Sequence, residues 1–379
     1  MQPKWEVSDV LRQVNLSSLH LNVHQKKTLR ALKNCRTHAL GGHIDACDEC
    51  GNISISYNSC RNRHCPKCQG HKRVEWVEKR ARDLLPCTYY HVVFTLPSEL
   101  NKFALYKPRE VYDSLFKAAW QTLNQFGHSQ GIQLGMVALL HTWGQNLSLH
   151  PHLHCIVPGG GMDETGQWKQ QTGSNKYLFS VKAMSKVFRA KYVAELRQRK
   201  VGDQALFDSL FRKDWVVYAK RPFGGPAQVI EYLGRYSHKV AISNHRIKNV
   251  TDTEVSFGYK DYRQNGWKKV MTLKHEEFIR RFAQHILPKR FVRIRHYGIL
   301  SSYWKREKLQ ALQKELGVKR PEEEIKTKLR KCPCCKVGNL ITIKTFGERG
   351  PPREYLPVPA SPAGRRQAGL LESEKSSVA

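Results

Sequence analysis

Three histidines at alternate positions, in His150-Pro151-His152-Leu153-His154-Cys155, constrain this chain more than any other stretch. In an extended segment, alternate side chains share one face. Leu153, Cys155, Ile156 and Val157 favour a strand, and Pro158-Gly159-Gly160-Gly161 ends it. The pattern predicts that His152 and His154 project together and can hold one metal ion, with His150, just ahead of Pro151, left in the turn. A divalent ion on two or three neutral imidazoles keeps open positions and can act as a Lewis acid. Taken alone, such a run describes a plain surface strand equally well, so its weight comes from the rest of the chain.

Charge narrows the partners. Lys plus Arg total 64 against 32 Asp plus Glu, a formal charge of +32 over 379 residues. That imbalance repels itself unless a polyanion is the usual partner, and nucleic acid leads. No apolar run is long enough to span a bilayer, and Met1-Gln2-Pro3-Lys4-Trp5 is no signal peptide. An intracellular protein is expected.

The cysteines point to metal. Of 11, six fall between Cys35 and Cys68 and three between Cys332 and Cys335. Clustering in an intracellular chain favours metal over disulfides. Cys47-Asp48-Glu49-Cys50-Gly51 and Cys65-Pro66-Lys67-Cys68 are two knuckles separated by fourteen residues, close to zinc-ribbon spacing. One structural Zn²⁺ is expected on Cys47, Cys50, Cys65 and Cys68. Cys35, His43, Cys60 and His64 are then left over, either as a second zinc set or as ordinary core and surface residues. Cys332-Pro333-Cys334-Cys335 has no second half nearby; it either borrows ligands from elsewhere or is a remnant. Arg61 and Arg63, beside Tyr57 between the knuckles, suit phosphate contacts.

Read for organisation, the chain is α+β. An N-terminal helical segment (1–34) precedes a zinc-binding domain (35–85). Residues 86–245 then read strand (88–96), helix from Pro108, strand (136–143), strand (153–157), helix (183–199), strand (215–219). That is the split βαβ order of a ferredoxin-like domain, with the histidines on an interior strand. Next comes a predicted helix opened by Pro226, in which Gln228, Tyr232 and Tyr236 lie on one face, a turn apart. Short strands are expected at 240–243, 254–259 and 270–273 and helices at 275–286 and about 302–316, and the basic α/β extension (246–345) carries Arg290 and the last cysteines. The tail (346–379), rich in Gly, Pro, Ser and charge, is expected to be disordered.

A zinc-ribbon-like module, a His-hydrophobe-His strand and a Tyr-x-x-x-Tyr helix in this order resemble the HUH-endonuclease superfamily. More closely, the chain resembles two-tyrosine rolling-circle transposases of the insertion-sequence type with an N-terminal transposase zinc-binding domain. The phrases that carry this are Tyr57 to Cys68, His141-Thr142-Trp143-Gly144-Gln145, His150 to His154, Tyr232-Leu233-Gly234-Arg235-Tyr236, Val240 to Asn244 and Leu287-Pro288-Lys289-Arg290-Phe291, together covering about residues 20–345. The resemblance implies that Tyr232 and Tyr236 attack DNA phosphodiesters and form 5′-phosphotyrosine links. It implies Mg²⁺ or Mn²⁺ on His152 and His154, although imidazoles alone prefer a softer ion. The third ligand is open among Gln145, ranked slightly ahead, His141 and Gln228. Lys239 is placed to stabilise a phenolate or bind DNA. Implied partners are single-stranded or hairpin DNA at element ends, target DNA, and host helicase or replication functions, since no Walker-type phosphate loop is present. The setting implied is the bacterial cytoplasm, at the nucleoid when acting. Competing readings are a non-catalytic zinc-ribbon DNA-binding protein, a hydrolytic metallonuclease, and a replication initiator or relaxase.

Overall fold

In a computed structural model of the chain the described residues are 3–170, 178–219, 228, 229, 232, 234, 239–318 and 330–355, without the side chains of 70–75 and 263. Helices α1 (Val7–Arg12) and α2 (Val23–Lys33) come first, then the hairpin β1 (Gly42–Cys47) and β2 (Ile53–Tyr57), and helix α3 (Pro66–Ala81). Strand β3 (Tyr89–Thr95), helices α4 (Asn101–Tyr106) and α5 (Pro108–His128), and the hairpin β4 (Gly135–Trp143) and β5 (Leu149–Pro158) follow. After the small hairpin β6 (Gly160–Met162) and β7 (Trp168–Gln170) come α6 (Val181–Gln198), α7 (Gln204–Phe211) and β8 (Val217–Ala219). A meander of β9 (Ile247–Val250), β10 (Glu254–Asp261) and β11 (Trp267–Lys274) leads into α8 (His275–Ala283), β12 (Ile294–Gly298), α9 (Ser302–Glu307) and α10 (Leu309–Glu315). Strands β13 (Arg330–Lys331) and β14 (Asn339–Phe346) close the series.

These elements form two compact units, one of Met1–Cys35 with Ser59–Lys326, the other of Arg36–Asn58 with Thr327–Ala379. In the first, β12-β4-β5-β3-β8 make a five-stranded sheet in which every neighbouring pair is antiparallel. Alternation decides its faces. Val92, Phe94, Met136, Ala138, Leu140, Leu153, Cys155 and Val157 point into a core with Val111, Leu115 and Phe116 of α5 and Phe188 and Tyr192 of α6. Helix α5 forms where Pro108 sits in the first turn, its missing N–H costing no bond, and an apolar stripe recurs at helical spacing. The alternate positions, Val137, Leu139 and Ile156, face a second cluster with Val229, Ile299, Leu309 and Leu312, against which Tyr232 packs. His141, His152 and His154 share the parity of this second face, which α5 and α6 leave uncovered.

A second core in this unit joins α1 and α2, through Val10, Leu11, Leu29 and Leu32, to Phe257 of β10 and Phe278 and Phe282 of α8. The sheet β11-β10-β9 buries Val255 and Phe257 there and exposes its other side. The second unit is a four-stranded sheet of order β13-β14-β1-β2. The expected zinc-binding segment 35–85 is thus divided: its hairpin pairs with β14, nearly three hundred residues away in sequence.

Some local expectations changed. Val240 to Ser243 forms no strand; Ala241 and Ile242 instead bury into the second core, where β-branched and apolar residues find packing without a ladder. The helix expected over 302–316 breaks at Lys308 into α9 and α10. The last strand of the expected split βαβ shortens to Val217–Ala219, because Trp215 turns into the core and its indole N–H donates to the Leu210 carbonyl. The chain is ordered as a strand to Phe346, and the expected tail lies largely outside the described residues.

Candidate active site and metal centres

Strand register builds the histidine site. His141 of β4 stands directly across from His152 of β5, and His154 lies two residues further along the same face. One ring nitrogen from each falls within 4.8 Å of the others. The His152 Nδ1 is 2.7 Å from the His150 carbonyl oxygen. A carbonyl can only accept, so Nδ1 carries the hydrogen and Nε2 keeps its lone pair for an ion. Burial holds two of the imidazoles neutral: His152 is pulled down to about 4, and His154 lies well below its ordinary value with His141 and His152 adding repulsion. The His141 ring also stacks on Trp143, 4.7 Å between centroids.

Tyr232 packs against the cluster on this face. The Tyr232 hydroxyl is 2.7 Å from His91 Nε2 and 3.2 Å from His154 Nδ1, while His91 Nε2 and His154 Nδ1 are 3.0 Å apart. His91, on β3 and 2% exposed, therefore sits between the attacking-group candidate and the triad. Sequence reasoning passed over it, although Thr88-Tyr89-Tyr90-His91-Val92-Val93 places it at the parity of Tyr89; a lone polar residue in an apolar strand was the available signal.

Among the third-ligand candidates the structure brings His141 to the pair. Gln145 lies beyond the end of β4, where its carbonyl accepts from Arg246 and it lines a separate cavity; the chain turns at Gly144–Leu147 and carries the side chain off the strand face. Gln228 is exposed on the tyrosine helix. His150 is exposed beside His152, ring centroids 5.1 Å apart, and lies outside the triad. Tyr236 falls outside the described residues.

The thiols assemble differently from their spacing. Cys35, Cys60, Cys65 and Cys68 form one group and Cys47, Cys50, Cys332 and Cys335 another, each with sulfurs within 4.8 Å of one another. The expected grouping of Cys47 and Cys50 with Cys65 and Cys68 is therefore corrected: β1 carries the first knuckle to the last one through its pairing with β14. Sulfur separations are 3.6 Å for Cys35–Cys68 and Cys47–Cys335 and 3.7 Å for Cys60–Cys68 and Cys50–Cys332. Thiolates about 2.3 Å from a tetrahedral zinc stand about 3.8 Å apart, so both sets fit that ion. In the first group Cys65 and Cys68 flank the opening turn of α3, whose free N–H groups favour thiolates. In the second, both knuckles turn through a left-handed residue just past the second cysteine, Gly51 (φ 66°) and Lys336 (φ 63°). Gly338 is held by close approach, since a Cβ there would stand 2.5 Å from Cys47 Sγ.

The two leftover histidines take other places. His43 lies 3.5 Å from the Asp45 carboxylate on β1, and His64 is packed beside Arg63 and Arg293, burial holding its pKa low. Neither joins a thiol group. Of the basic residues singled out, Arg61 and Arg290 are exposed and both adopt left-handed backbone, φ 50° and 62°. Arg63 turns inward and donates to the Phe291 and Pro288 carbonyls, so it braces the fold. Lys239 is exposed near enough to His152 and His154 to depress both.

Two family descriptions match the chain. One, "Transposase zinc-binding domain", covers residues 7–96 and so reaches six of the eight clustered cysteines; the other, "Putative transposase", covers residues 135–308, which hold the triad and Tyr232. Zinc-bearing module and histidine site together mark a DNA transposase. The chain is 41% identical over 389 residues to "Putative transposase y4qJ" of Sinorhizobium fredii (strain NBRC 101917 / NGR234), covering 92% of this chain and 97% of that one. It is 28% identical over 292 residues to the "Transposase for insertion sequence element IS801" of Pseudomonas savastanoi pv. phaseolicola, covering 73% and 70%. The chain belongs to this family of insertion-sequence transposases with a transposase zinc-binding domain. Among solved structures it is similar at a TM-score of 0.25 and 12% identity to a metal-bound conjugative relaxase TrwC in complex with oriT DNA, over 61% of this chain and 73% of that one.

Proposed function

We propose that this transposase nicks and rejoins single-stranded DNA at element ends through a 5′-phosphotyrosine link, driving rolling-circle transposition. One observation carries the reading: a tyrosine hydroxyl set on the same sheet face as three clustered imidazoles, 3.2 Å from one of them. The sheet order supports a ferredoxin-like HUH domain, because β8-β3-β5-β4 is the arrangement a split βαβ unit produces. The domains proposed are the histidine-bearing sheet with its flanking helices, a thiol-bound segment following α2, and the basic extension.

In the step proposed, the Tyr232 hydroxyl gives up its proton as its oxygen attacks phosphorus, the bond to the 3′-oxygen breaks, and that oxygen takes up one proton in exchange and leaves as a 3′-OH. His91 and His154 hold the hydroxyl and orient it for attack. The link keeps the bond energy for religation, and Tyr236 supplies the second attack needed to pass a strand onward. His141, His152 and His154 are the residues that would hold Mg²⁺ or Mn²⁺, and three imidazole donors fit Mn²⁺ better than Mg²⁺. Such an ion would polarise the scissile phosphate. Trp143, stacked on His141, offers a platform for a base beside the site. Zn²⁺ in the two thiol groups is structural, since four thiolates leave no open position. We place the protein in the bacterial cytoplasm at the nucleoid, with host replication or a helicase supplying the single strand.

The test is incubation with single-stranded oligonucleotides carrying the element's ends and Mn²⁺ or Mg²⁺, scored for a denaturant-resistant protein–DNA adduct. The adduct should survive Tyr232→Phe or Tyr236→Phe and vanish when both are changed. Cleavage without any adduct would replace this reading with a hydrolytic metallonuclease. Tight binding without cleavage would leave a zinc-dependent DNA-binding protein.

A further inference from the structure

The outer side of the sheet β11-β10-β9 carries a feature the nicking chemistry does not use. A cavity of about 550 Å³ opens there, walled by Lys239, Arg246, Lys248, Lys260, Lys268 and Lys269. Tyr259 and Tyr262 complete the wall, and none of its lining residues is acidic. Register concentrates the charge: Lys260 stands directly opposite Lys268, and Tyr259 opposite Lys269. Like charges in direct cross-strand register are destabilising, so the fold gains nothing from that pair. Arg246 is strapped across the floor, its Nε donating to the Gly258 carbonyl at 2.8 Å and a second nitrogen to the Gln145 carbonyl.

The same wall is poor in features of a duplex site and rich in those of a single-strand site. Tyr262, just past the end of β10, is 71% exposed, and Val270 on β11 is 63% exposed, both on this wall. Exposed rings along a basic groove stack unpaired bases, which a duplex does not offer. Gln145 links the groove to the reacting centre: it lines the cavity and lies two residues beyond Trp143, which stacks on His141. Desolvation, with repulsion from Arg246 and Lys260 added to it, lowers the Lys239 pKa.

We infer that this groove is a track for single-stranded DNA, gripping the phosphates of the strand that flanks the reacting one by charge and ring stacking, without reading its bases. The inference rests on the strand-transfer reading above and deepens it. Such a track would hold strands of any sequence, a property suited to the target or displaced strand rather than to recognition of the element's ends.

Equilibrium binding tests it without nicking. Fluorescence anisotropy with an oligothymidylate of about 30 nucleotides and with a duplex of similar length would be measured across salt concentrations. Changing Lys248, Lys260 and Lys268 together to Gln should weaken single-strand binding about 10- to 100-fold at 0.1 M salt and reduce the log–log salt slope by about 2, at about 0.7 for each phosphate no longer neutralised. Tyr262→Ala should weaken single-strand binding several-fold and leave duplex binding where it was. Val255 and Phe257 are buried on the opposite face, so melting should be unchanged; if the triple variant fails to fold, Lys260→Gln and Lys268→Gln are measured singly, each expected to lower the slope by about 0.7. Wild-type affinity and slope in the variants would overturn the track. Equal loss of duplex binding in Tyr262→Ala would overturn its assignment to single strands. Adduct formation at the tyrosines is scored separately, so a wild-type adduct with unchanged track binding removes only this inference.

Discussion

Changing Cys47 and Cys65 to Ser, singly and together, separates the two ways of joining the knuckles. If the neighbouring knuckles shared one ion, either single change would release that ion and the double change would release no more. The structure assigns Cys47 to a group with Cys50, Cys332 and Cys335, and Cys65 to a group with Cys35, Cys60 and Cys68. Two zinc ions per chain are therefore expected, falling to one in each single variant and to none in the double variant. The stability cost should differ in kind. Among the described residues, the apolar cluster around the second group is Cys47, Cys332 and Leu340, with Cys335 packed on it. Burying one leucine contributes about 2 kcal/mol, whereas a structural zinc contributes about 10–16 kcal/mol of apparent free energy at neutral pH. Without its ion this unit has little to hold it, and Cys47→Ser should leave residues 36–58 and those beyond 327 open to protease while the rest of the chain resists. Cys65→Ser strikes a core that also contains Leu11, Leu29, Leu32 and Phe257, so it should lower the melting temperature of the large unit without freeing a discrete fragment. Elemental analysis of purified protein and limited proteolysis with mass mapping read both. A single variant that loses all zinc, or a double variant that retains one ion, would refute the assignment.

Gly338→Ala would put a Cβ 2.5 Å from Cys47 Sγ and 2.7 Å from Asp48 Oδ1, so it should cost one zinc per chain by elemental analysis and leave the other in place. His91→Ala should slow adduct formation about 10- to 100-fold, the loss typical when a group supporting a site's ligands is removed, with binding of the oligonucleotide unchanged in anisotropy. Stability should also fall in acid through His285, which burial pulls down to about 4 while its Nε2 lies 3.1 Å from the Leu147 carbonyl oxygen. Between the unfolded value near 6.5 and the folded value the unfolded chain binds more protons, so stability is full above pH 6.5 and drains as pH falls toward 4, by up to about 3 kcal/mol. Urea titrations at pH 7.5 and 5 would measure this, and His285→Gln should remove its share of the difference, the rest coming from His64, His152 and His154, which burial also holds low; an equal loss in the variant would place the acid sensitivity wholly elsewhere.

How far the sequence foretold these sites depends on how far apart their parts lie in the chain. Alternation along His150 to Cys155 is local, so the shared face of His152 and His154 follows from strand geometry alone, and β5 runs as the pattern predicts. The α5 stripe opened by Pro108 is equally local. The choice of His141 over Gln145 already needs a register between two strands, because both have the same parity and only the pairing of His141 with His152 separates them. The thiols go further. Cys50 and Cys332 are 282 positions apart, and nothing in the spacing within either knuckle says which distant knuckle completes it. Proximity in sequence favoured Cys47 and Cys50 with Cys65 and Cys68, at near-ideal ribbon spacing, but closing a ring of fourteen residues is only one way to meet a tetrahedral ion. The competing closure is supported by strand pairing along the whole of β1 against β14, from Gly42 opposite Phe346 to Cys47 opposite Leu340. Entropy explains why so distant a closure is tolerable. The cost of joining chain ends grows only logarithmically with loop length, so going from fourteen residues to nearly three hundred adds about 2.5 kcal/mol, less than one ladder of backbone hydrogen bonds and far less than one zinc returns. A knuckle stranded near a chain end is therefore better read as half of a remote pair than as a remnant, and Cys332 and Cys335 act as that half here.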